Sequence, residues 1–259
     1  MDAVQRFVEL VRLPDPPLDQ AALAIAAGAD PALDPAPWLA ELDRLAAGVG
    51  SLEDLLRRLF VEKGFTGNTG DYYDPRNSLL PHVLRRRIGI PITLAVVCIE
   101  VGRRAGVALE GVGMPGHFLV RPVGTWIHLD VFAGGVELDL AACEALFRAA
   151  SGAGPEVPFG PHLLARSSTS AVLARMLENL RAVYRALRRP ANSEWVLRMR
   201  LALPGAGLAE QVELAHALGA QGRWLDGARL LEDQAASSAE PTLTEQLRRA
   251  ARSLRAHLN

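Results

Sequence analysis

Two polar residues, His117 and Asp130, lie near the two ends of a segment in which polar and apolar residues alternate, PGHFLVRPVGTWIHLD. If Val123 and Gly124 form a two-residue turn, the segment folds into a hairpin in which His117 lies directly across from Asp130. A carboxylate beside an imidazole fixes the tautomer of the ring and favours its protonated form, which is what general-base catalysis requires. The sequence therefore predicts a His–Asp pair, although it offers no obvious nucleophile beside it.

The same alternation predicts a hairpin with one polar and one apolar face, because side chains on a strand point to opposite sides in turn. The turn is the weak point, since Val-Gly is a poorer hairpin signal than Asn-Gly. A type II turn or a loop one residue longer is an alternative, and a slip of one residue would separate His117 from Asp130. The predicted polar face carries His117, Leu119, Arg121, Trp126, His128 and Asp130, and the predicted core face carries Phe118, Val120, Ile127 and Leu129.

The composition of the 259 residues excludes several classes of function. The formal net charge is −1, which predicts no general attraction to nucleic acid or to a membrane surface. The two cysteines, Cys98 and Cys143, have neither the number nor the spacing of a disulfide framework or a zinc site. We find no basic, apolar N-terminal leader and no run of roughly 18 apolar residues, so the expected location is the cytoplasm. The sequence does not predict the oligomeric state.

The helices and strands that must position the pair follow from hydrophobic periodicity. Residues 1–66 are helical in pattern, with breaks at two Asp-Pro pairs. A further helix, for which Asn77 or Ser78 is the expected N-terminal cap, follows the loop around Tyr73. The segment RIGIPITLAVVCIEVGRRAG predicts a helix that begins at Pro91, ends at Gly106 and is apolar on nearly every side, so it should be buried at the centre of its domain. A helix followed by antiparallel strands predicts an α+β fold.

Four motifs in order, DPRNSLL, RRRIGIPITLAVV, PGHFLVRP and RMLENLRAVY, give the chain a specific resemblance. It resembles the transglutaminase-like, or papain-like cysteine hydrolase, superfamily, and within it the bacterial SirB-type branch. The resemblance implies a central helix against a small antiparallel sheet, with a nucleophilic cysteine at the N-terminal end of that helix. It also implies that His117 is the catalytic histidine and Asp130 its acidic partner. The cysteine position falls on or beside Pro91, which cannot act as a nucleophile.

Two other residues were candidates for the missing nucleophile. Cys98 lies two helical turns beyond Pro91, roughly 10 Å along the axis, and its apolar neighbours indicate a buried structural thiol. Thr93 is nearer the helix start, but a threonine hydroxyl without a strong base more often serves the backbone. A structural or ligand-holding role for His117 is therefore the main alternative to catalysis.

The residues predicted to border the cleft are Tyr73, Asn77, Pro91 and His128. A metal site was also considered, because His117, His128 and Asp130 share the predicted polar face. They form no closed set of ligands, so we predict neither a metal nor any other cofactor.

Beyond residue 150 the pattern is almost wholly helical, which divides the chain into a transglutaminase-like domain, 1–150, and a helical domain, 151–259. The segment VELAHALGAQGRWLDGARLLEDQAA resembles a tetratricopeptide hairpin, and an amphipathic helix over 243–258 would cap it. Two functions remain open. The first is a non-catalytic module of regulation or interaction that binds a protein through its cleft or its C-terminal helices. The second is a hydrolase or acyltransferase acting on peptide or amide bonds with a non-standard nucleophile.

Overall fold

The computed structural model describes residues 2–258, and within them the chain has an α+β fold whose C-terminal part is entirely helical. The helices are α1 Ala3–Val11, α2 Leu18–Ala29, α3 Ala36–Ala46, α4 Leu52–Leu56, α5 Leu80–Arg86, α6 Pro91–Ala105, α7 Leu140–Ser151, α8 Thr169–Ala186, α9 Pro190–Leu201, α10 Leu208–Gly219, α11 Trp224–Ser237 and α12 Pro241–Arg255. The strands are β1 Thr66–Gly67, β2 Ile88–Gly89, β3 Leu109–Val112, β4 Leu119–Pro122, β5 His128–Asp130 and β6 Val136–Leu138.

The predicted N-terminal helical part is confirmed as α1 to α4, and α4 continues directly into a π-helix over Arg57–Glu62. Asp2 caps α1, since its side chain accepts a hydrogen bond from the backbone N–H of Gln5 at 2.8 Å. The apolar faces of these helices belong to the main core, which Phe7, Ile25 and Leu42 enter with no exposed surface.

Helix α5 begins differently from the prediction. A 3-10 turn over Pro75–Ser78 precedes it, and the Asp74 side chain caps that turn by accepting from the backbone N–H of Arg76 at 2.9 Å. The N-cap residue of α5 is Leu79, so the predicted cap at Asn77 or Ser78 is wrong. Pro75 begins the 3-10 turn, because the fixed φ angle of proline suits the first position of a helical turn.

The central helix is confirmed as α6, which begins at Pro91 and ends where Gly106 adopts a left-handed conformation with φ of +76°. From Ile92 to Cys98 every side chain is buried. At the other end, Arg104 bonds the carboxylates of Asp19 and Glu100, at 2.5 and 2.6 Å. Helix α6 is thus surrounded by protein along most of its length.

The four-stranded sheet has the order β3-β4-β5-β6, and all neighbouring strands are antiparallel. Val120 pairs with Leu129, so the directly opposed pairing of His117 with Asp130 is wrong by two residues. The turn is of type II, because Thr125 donates to the carbonyl of Pro122 at 3.2 Å and Gly124 has φ of +80°. The chain then runs unpaired to His128. An offset of two residues leaves the side chains of the paired strands on their predicted faces. The prediction of Ile127 for the core face is wrong, because this residue lies outside the strands and is 41% exposed.

Helices α8 and α9 pack into the same core as α2, α5 and α6, through residues such as Leu173, Leu177 and Met199. A separate cluster of small and branched side chains joins α10, α11 and α12, and a third cluster links α9 to α10. The division of the chain at residue 150 stays a prediction. Among residues 2–258, the structure contains no helix both long and apolar enough to traverse a lipid bilayer.

Candidate functional site

A tight turn immediately before β4 sets the position of His117. The backbone N–H of His117 donates to the carbonyl of Met114 at 3.1 Å, and Gly116 occupies the third position with φ of +78°. Pro115 and Gly116 are the residues that a type II turn favours at its two central positions. A side chain at Gly116 would also lie 2.6 Å from the backbone of Ala150 in α7. The Pro-Gly pair therefore seats His117 close under that helix.

The predicted His–Asp pair is present in the structure. Nε2 of His117 lies 2.9 Å from Oδ1 of Asp130, and both side chains are buried. The same oxygen accepts the backbone N–H groups of Phe132 at 3.0 Å and Ala133 at 3.3 Å. Because the carboxylate accepts on that side, Nε2 carries the proton and Nδ1 is the nitrogen left for a ligand. Catalytic or ligand-binding roles for His117 and Asp130 stay predictions.

His117 lines a small pocket of about 20 Å³ beside the start of α6. That volume is enough for one water molecule or for the oxygen end of a small polar group. No hydrogen bond reaches Nδ1 of His117 from any of the residues described in the structure. The residues that share the pocket with it include Tyr72, Pro91, Ile92, Arg175 and Asn179.

Pro91 is the first residue of α6 and lies in this pocket, at the end where a nucleophile would benefit from the helix dipole. Thr93, two residues on, has no exposed surface and does not line the pocket. Its hydroxyl donates to the carbonyl of Asn77 at 2.6 Å and accepts from the backbone N–H of Ile90 at 3.2 Å. The Thr93 hydroxyl is therefore occupied in tying α6 to the preceding turn.

Neither cysteine lies in the pocket, and both thiols are buried. Burial raises the pKa of the Cys98 thiol to about 12. Burial, together with the nearby charge of Asp139, raises the pKa of Cys143 to about 11. A thiol of such high pKa is almost wholly protonated at neutral pH, so neither residue supplies a reactive thiolate.

The other residues predicted for the cleft lie around the pocket rather than in it. Tyr73 is 73% exposed and packs edge-on against Tyr72, which does line the pocket. Asn77 is fully buried, and its amide group donates to the carbonyl of Asp71 at 2.7 Å. His128 is fully buried too, neither of its ring nitrogens has a hydrogen-bond partner, and burial lowers its pKa. Binding roles for these three residues stay predictions.

Sequence reasoning missed two residues of the pocket, Arg175 and Asn179, which come from the first helix after residue 151. They are four residues apart on α8, so their side chains lie on one face of the helix. Both belong to the motif RMLENLRAVY, one of the four motifs that carry the family resemblance. Their spacing could have identified them, but nothing in the sequence indicated that α8 returns to the hairpin.

The considered metal site does not form. Across residues 2–258, no three histidine, cysteine, aspartate or glutamate side chains come together as a possible metal-binding group. His128 lies on β5 beside β6, where it pairs with Leu138, and outside the pocket.

Comparison with known proteins places this geometry in a family. Residues 20–178 match the family model described as the transglutaminase-like superfamily. The chain is similar to a UPF0162 protein of Pseudomonas aeruginosa, with 37% identity over 201 residues that cover 73% of each chain. It is also similar to a UPF0162 protein of Xylella fastidiosa, with 47% identity over 133 residues, 49% of this chain and 47% of that protein. The aligned part thus spans about half the length of the Xylella relative.

A shorter similarity extends to F-box only protein 21 of Mus musculus, at 37% identity over 98 residues, which are 34% of this chain and 16% of that protein. No solved structure matches the chain. The family match begins within α2 and includes α3 to α7, the His117–Asp130 pair and the first part of α8. The chain belongs to the transglutaminase-like superfamily.

Proposed function

We propose that this protein is a non-catalytic member of its superfamily that binds a segment of another protein in the pocket beside His117. The observation that carries the proposal is the identity of the residue at the start of α6. Pro91 stands where a thiol would have to lie to attack a bound carbonyl, and its ring has no group that can do so. The SirB-type relationship and a regulatory role belong to the same proposal.

The state of the remaining nucleophile candidates supports this function. The Cys98 and Cys143 thiols are buried away from the pocket, and the hydroxyl of Thr93 is held by backbone groups. What the pocket retains is a positioned imidazole, a guanidinium and an amide, all of which recognise polar groups without reacting with them.

Exposed aromatic residues beside the pocket support a protein as the partner. Tyr72 and Tyr73 are 41% and 73% exposed, and Phe132 packs edge-on against both Tyr72 and His117. Tyrosine is enriched where proteins meet, because it offers a large apolar surface with a polar end. The C-terminal helices, whose α10–α11 hairpin we propose to be tetratricopeptide-like, are a second candidate surface for a partner.

One observation favours a second candidate, a hydrolase that uses an activated water. The pocket has room for a water molecule, and Nδ1 of His117 is free to accept a proton from it. In that function Asp130 would stabilise the imidazolium, and no covalent intermediate would form.

A single set of variants separates these candidates. We expect wild-type protein, incubated with a pool of glutamine-containing peptides and a primary amine, to leave every peptide mass unchanged. His117→Ala should lower the free energy of unfolding by about 1–3 kcal/mol, because the buried Asp130 carboxylate loses a hydrogen-bond donor. His216→Ala, at an exposed position on α10, is the matched control and should change neither quantity. A mass change that wild-type protein produces and His117→Ala does not would refute the proposal in favour of the enzyme.

A further inference from the structure

Arg175 on α8 is a partly buried arginine that lacks an acidic partner. Its Nη1 donates to the carbonyl of Met114 at 3.1 Å, and no aspartate or glutamate pairs with it within the described part of the chain. Arg181, less than two turns further along α8, shows the contrast, because it pairs with Glu213 at 2.5 Å and with Glu178 at 3.1 Å. Arg175 is thus a positive charge held inside the fold without compensation.

An unpaired charge in such a place is costly. Burial lowers the pKa of Arg175, which is the direction expected when a cation loses its water without gaining an anion. A guanidinium has five N–H donors in a rigid fork, and in Arg175 only one of them is engaged by the protein. The free donors are those that would pair with an anion entering from outside.

The surroundings of Arg175 favour an anion as well. No aspartate or glutamate lines the pocket, whereas Arg175, Asn179 and His117 all line it. Asp74 pairs with Arg76 at 2.8 Å, Glu178 pairs with Arg181 at 3.1 Å and Asp130 bonds Nε2 of His117, so none of these three carboxylates pairs with Arg175. The pocket therefore presents the N–H donors of Arg175 and Asn179 and one unbalanced positive charge.

We infer that the pocket binds a carboxylate of a peptide, with Arg175 as the charged donor and the Asn179 amide beside it. The inference rests on the proposed function, and it gives that function the chemistry of its ligand. The size of the pocket agrees, because about 20 Å³ accommodates the oxygen end of a carboxylate but not a ring or a branched side chain. Tyr72, at the same pocket, would contact the neighbouring part of the peptide.

The carboxylate could be the C-terminus of the peptide or an acidic side chain, and four short peptides distinguish them. The first pair is acetyl-Gly-Gly with a free C-terminus and its C-terminal amide. The second pair is acetyl-Gly-Glu-Gly-amide and acetyl-Gly-Gln-Gly-amide. Binding to the full chain is followed by the NMR signals of the His117 ring, and the peptide signals are recorded in the same samples. We expect at least one member with a carboxylate to bind about tenfold more tightly than its neutral counterpart.

Three variants test which residue recognises the charge. Arg175→Gln should weaken binding of the carboxylate peptide about tenfold and leave the neutral peptide unchanged. Arg185→Gln removes the same charge from an exposed position on the same helix and should have no effect. Asn179→Asp keeps Arg175 and places a carboxylate beside it, so it should also weaken binding, even if Arg175→Gln does not fold.

The outcomes separate this inference from the proposed function. If the carboxylate and amide peptides bind equally, or if Arg185→Gln weakens binding as much as Arg175→Gln does, the carboxylate inference is wrong while a non-catalytic binding function stands. If none of the four peptides shifts the His117 signals, the inference is wrong as well. If a carboxylate peptide binds through Arg175 but is chemically converted in the tube, the carboxylate site is supported and the non-catalytic function is refuted.

Discussion

At the scale of single residues, one carboxylate oxygen of Asp130 holds both the His117 ring and the loop after β5 in place. Oδ1 bonds Nε2 of His117 and two backbone N–H groups in the loop that follows β5. An imidazole held in this way has a fixed tautomer and a fixed direction, which suits both catalysis and ligand binding. The choice between the two functions therefore depends on what faces Nδ1, and there the protein places Pro91 and Arg175 rather than a thiol.

The buried thiols give the protein a specific dependence on pH. The pKa of Cys98 is about 12 in the folded protein and about 9 in the unfolded chain. Above pH 9 only the unfolded chain loses this proton, so the free energy of unfolding should fall by up to about 1.4 kcal/mol per pH unit until pH 12. Cys98→Ala should give a less steep decline in urea unfolding measured between pH 8 and pH 11. Parallel curves for the variant and the wild type would contradict the assignment.

The His117–Asp130 pair could be predicted because the alternation of polar and apolar residues along a strand shows on which face each side chain lies. The alternation does not show which residue lies opposite on the next strand. The register was wrong by two residues, yet the faces of the residues within β4 and β5 were right, and the side chains of His117 and Asp130 still meet. The nature of the Cys98 thiol was also predictable, since its neighbours in the sequence are apolar on both sides. The inward position of Arg175 was not, because it depends on how α8 packs against the turn at Met114.

At the scale of elements, the site is built where a helix start, a turn and a returning helix meet. The Pro-Gly turn seats His117, α6 brings Pro91, and α8 brings Arg175 and Asn179. The two turns that flank β4 are of the same type and differ in their surroundings. Gly116 lies against the backbone of α7, whereas nothing lies within 4 Å of the place where a side chain at Gly124 would be.

That difference predicts unequal effects of the same substitution. Gly124→Ala should cost about 1–2 kcal/mol, the strain of a left-handed conformation in a residue with a side chain. Gly116→Ala should cost more, about 2–4 kcal/mol, because the added carbon also clashes with the backbone of Ala150. Urea unfolding of the two variants measures the costs, and the ring signals of His117 should move only in Gly116→Ala. Equal losses in the free energy of unfolding would show that a side chain at position 116 does not clash with the backbone of α7.

Long elements with clear periodicity were predictable, and the short connections between them were not. The apolar run from Ile92 and the glycine at 106 identified α6 and its end, because a helix buried on all sides leaves that pattern. The start of α5 was misplaced, since Pro75 begins a short turn whose hydrogen bonds the sequence does not reveal.

At the scale of the whole molecule, the core that supports the site extends well into the C-terminal half of the chain. Helices α8 and α9 pack against the N-terminal helices, and α10 to α12 form their own apolar cluster. Arg181 on α8 joins the two parts, since it pairs with Glu213 and Glu210 on α10. These ion pairs attach the C-terminal helices to the same helix that supplies Arg175.

The proposed function requires that the pocket beside His117 contains no reactive thiol, because Pro91 occupies the start of α6. The most direct measurement is the intact mass of the protein after incubation with iodoacetamide at pH 6.5, for the wild type and for Pro91→Cys. We expect the wild type to gain no adduct. Pro91→Cys should gain one adduct, about tenfold faster than a free cysteine reacts, because the helix start and the imidazolium stabilise a thiolate there. An adduct that peptide mapping places on a side chain other than His117, and that disappears in His117→Ala, would contradict the account, because it would reveal a reactive nucleophile beside the imidazole.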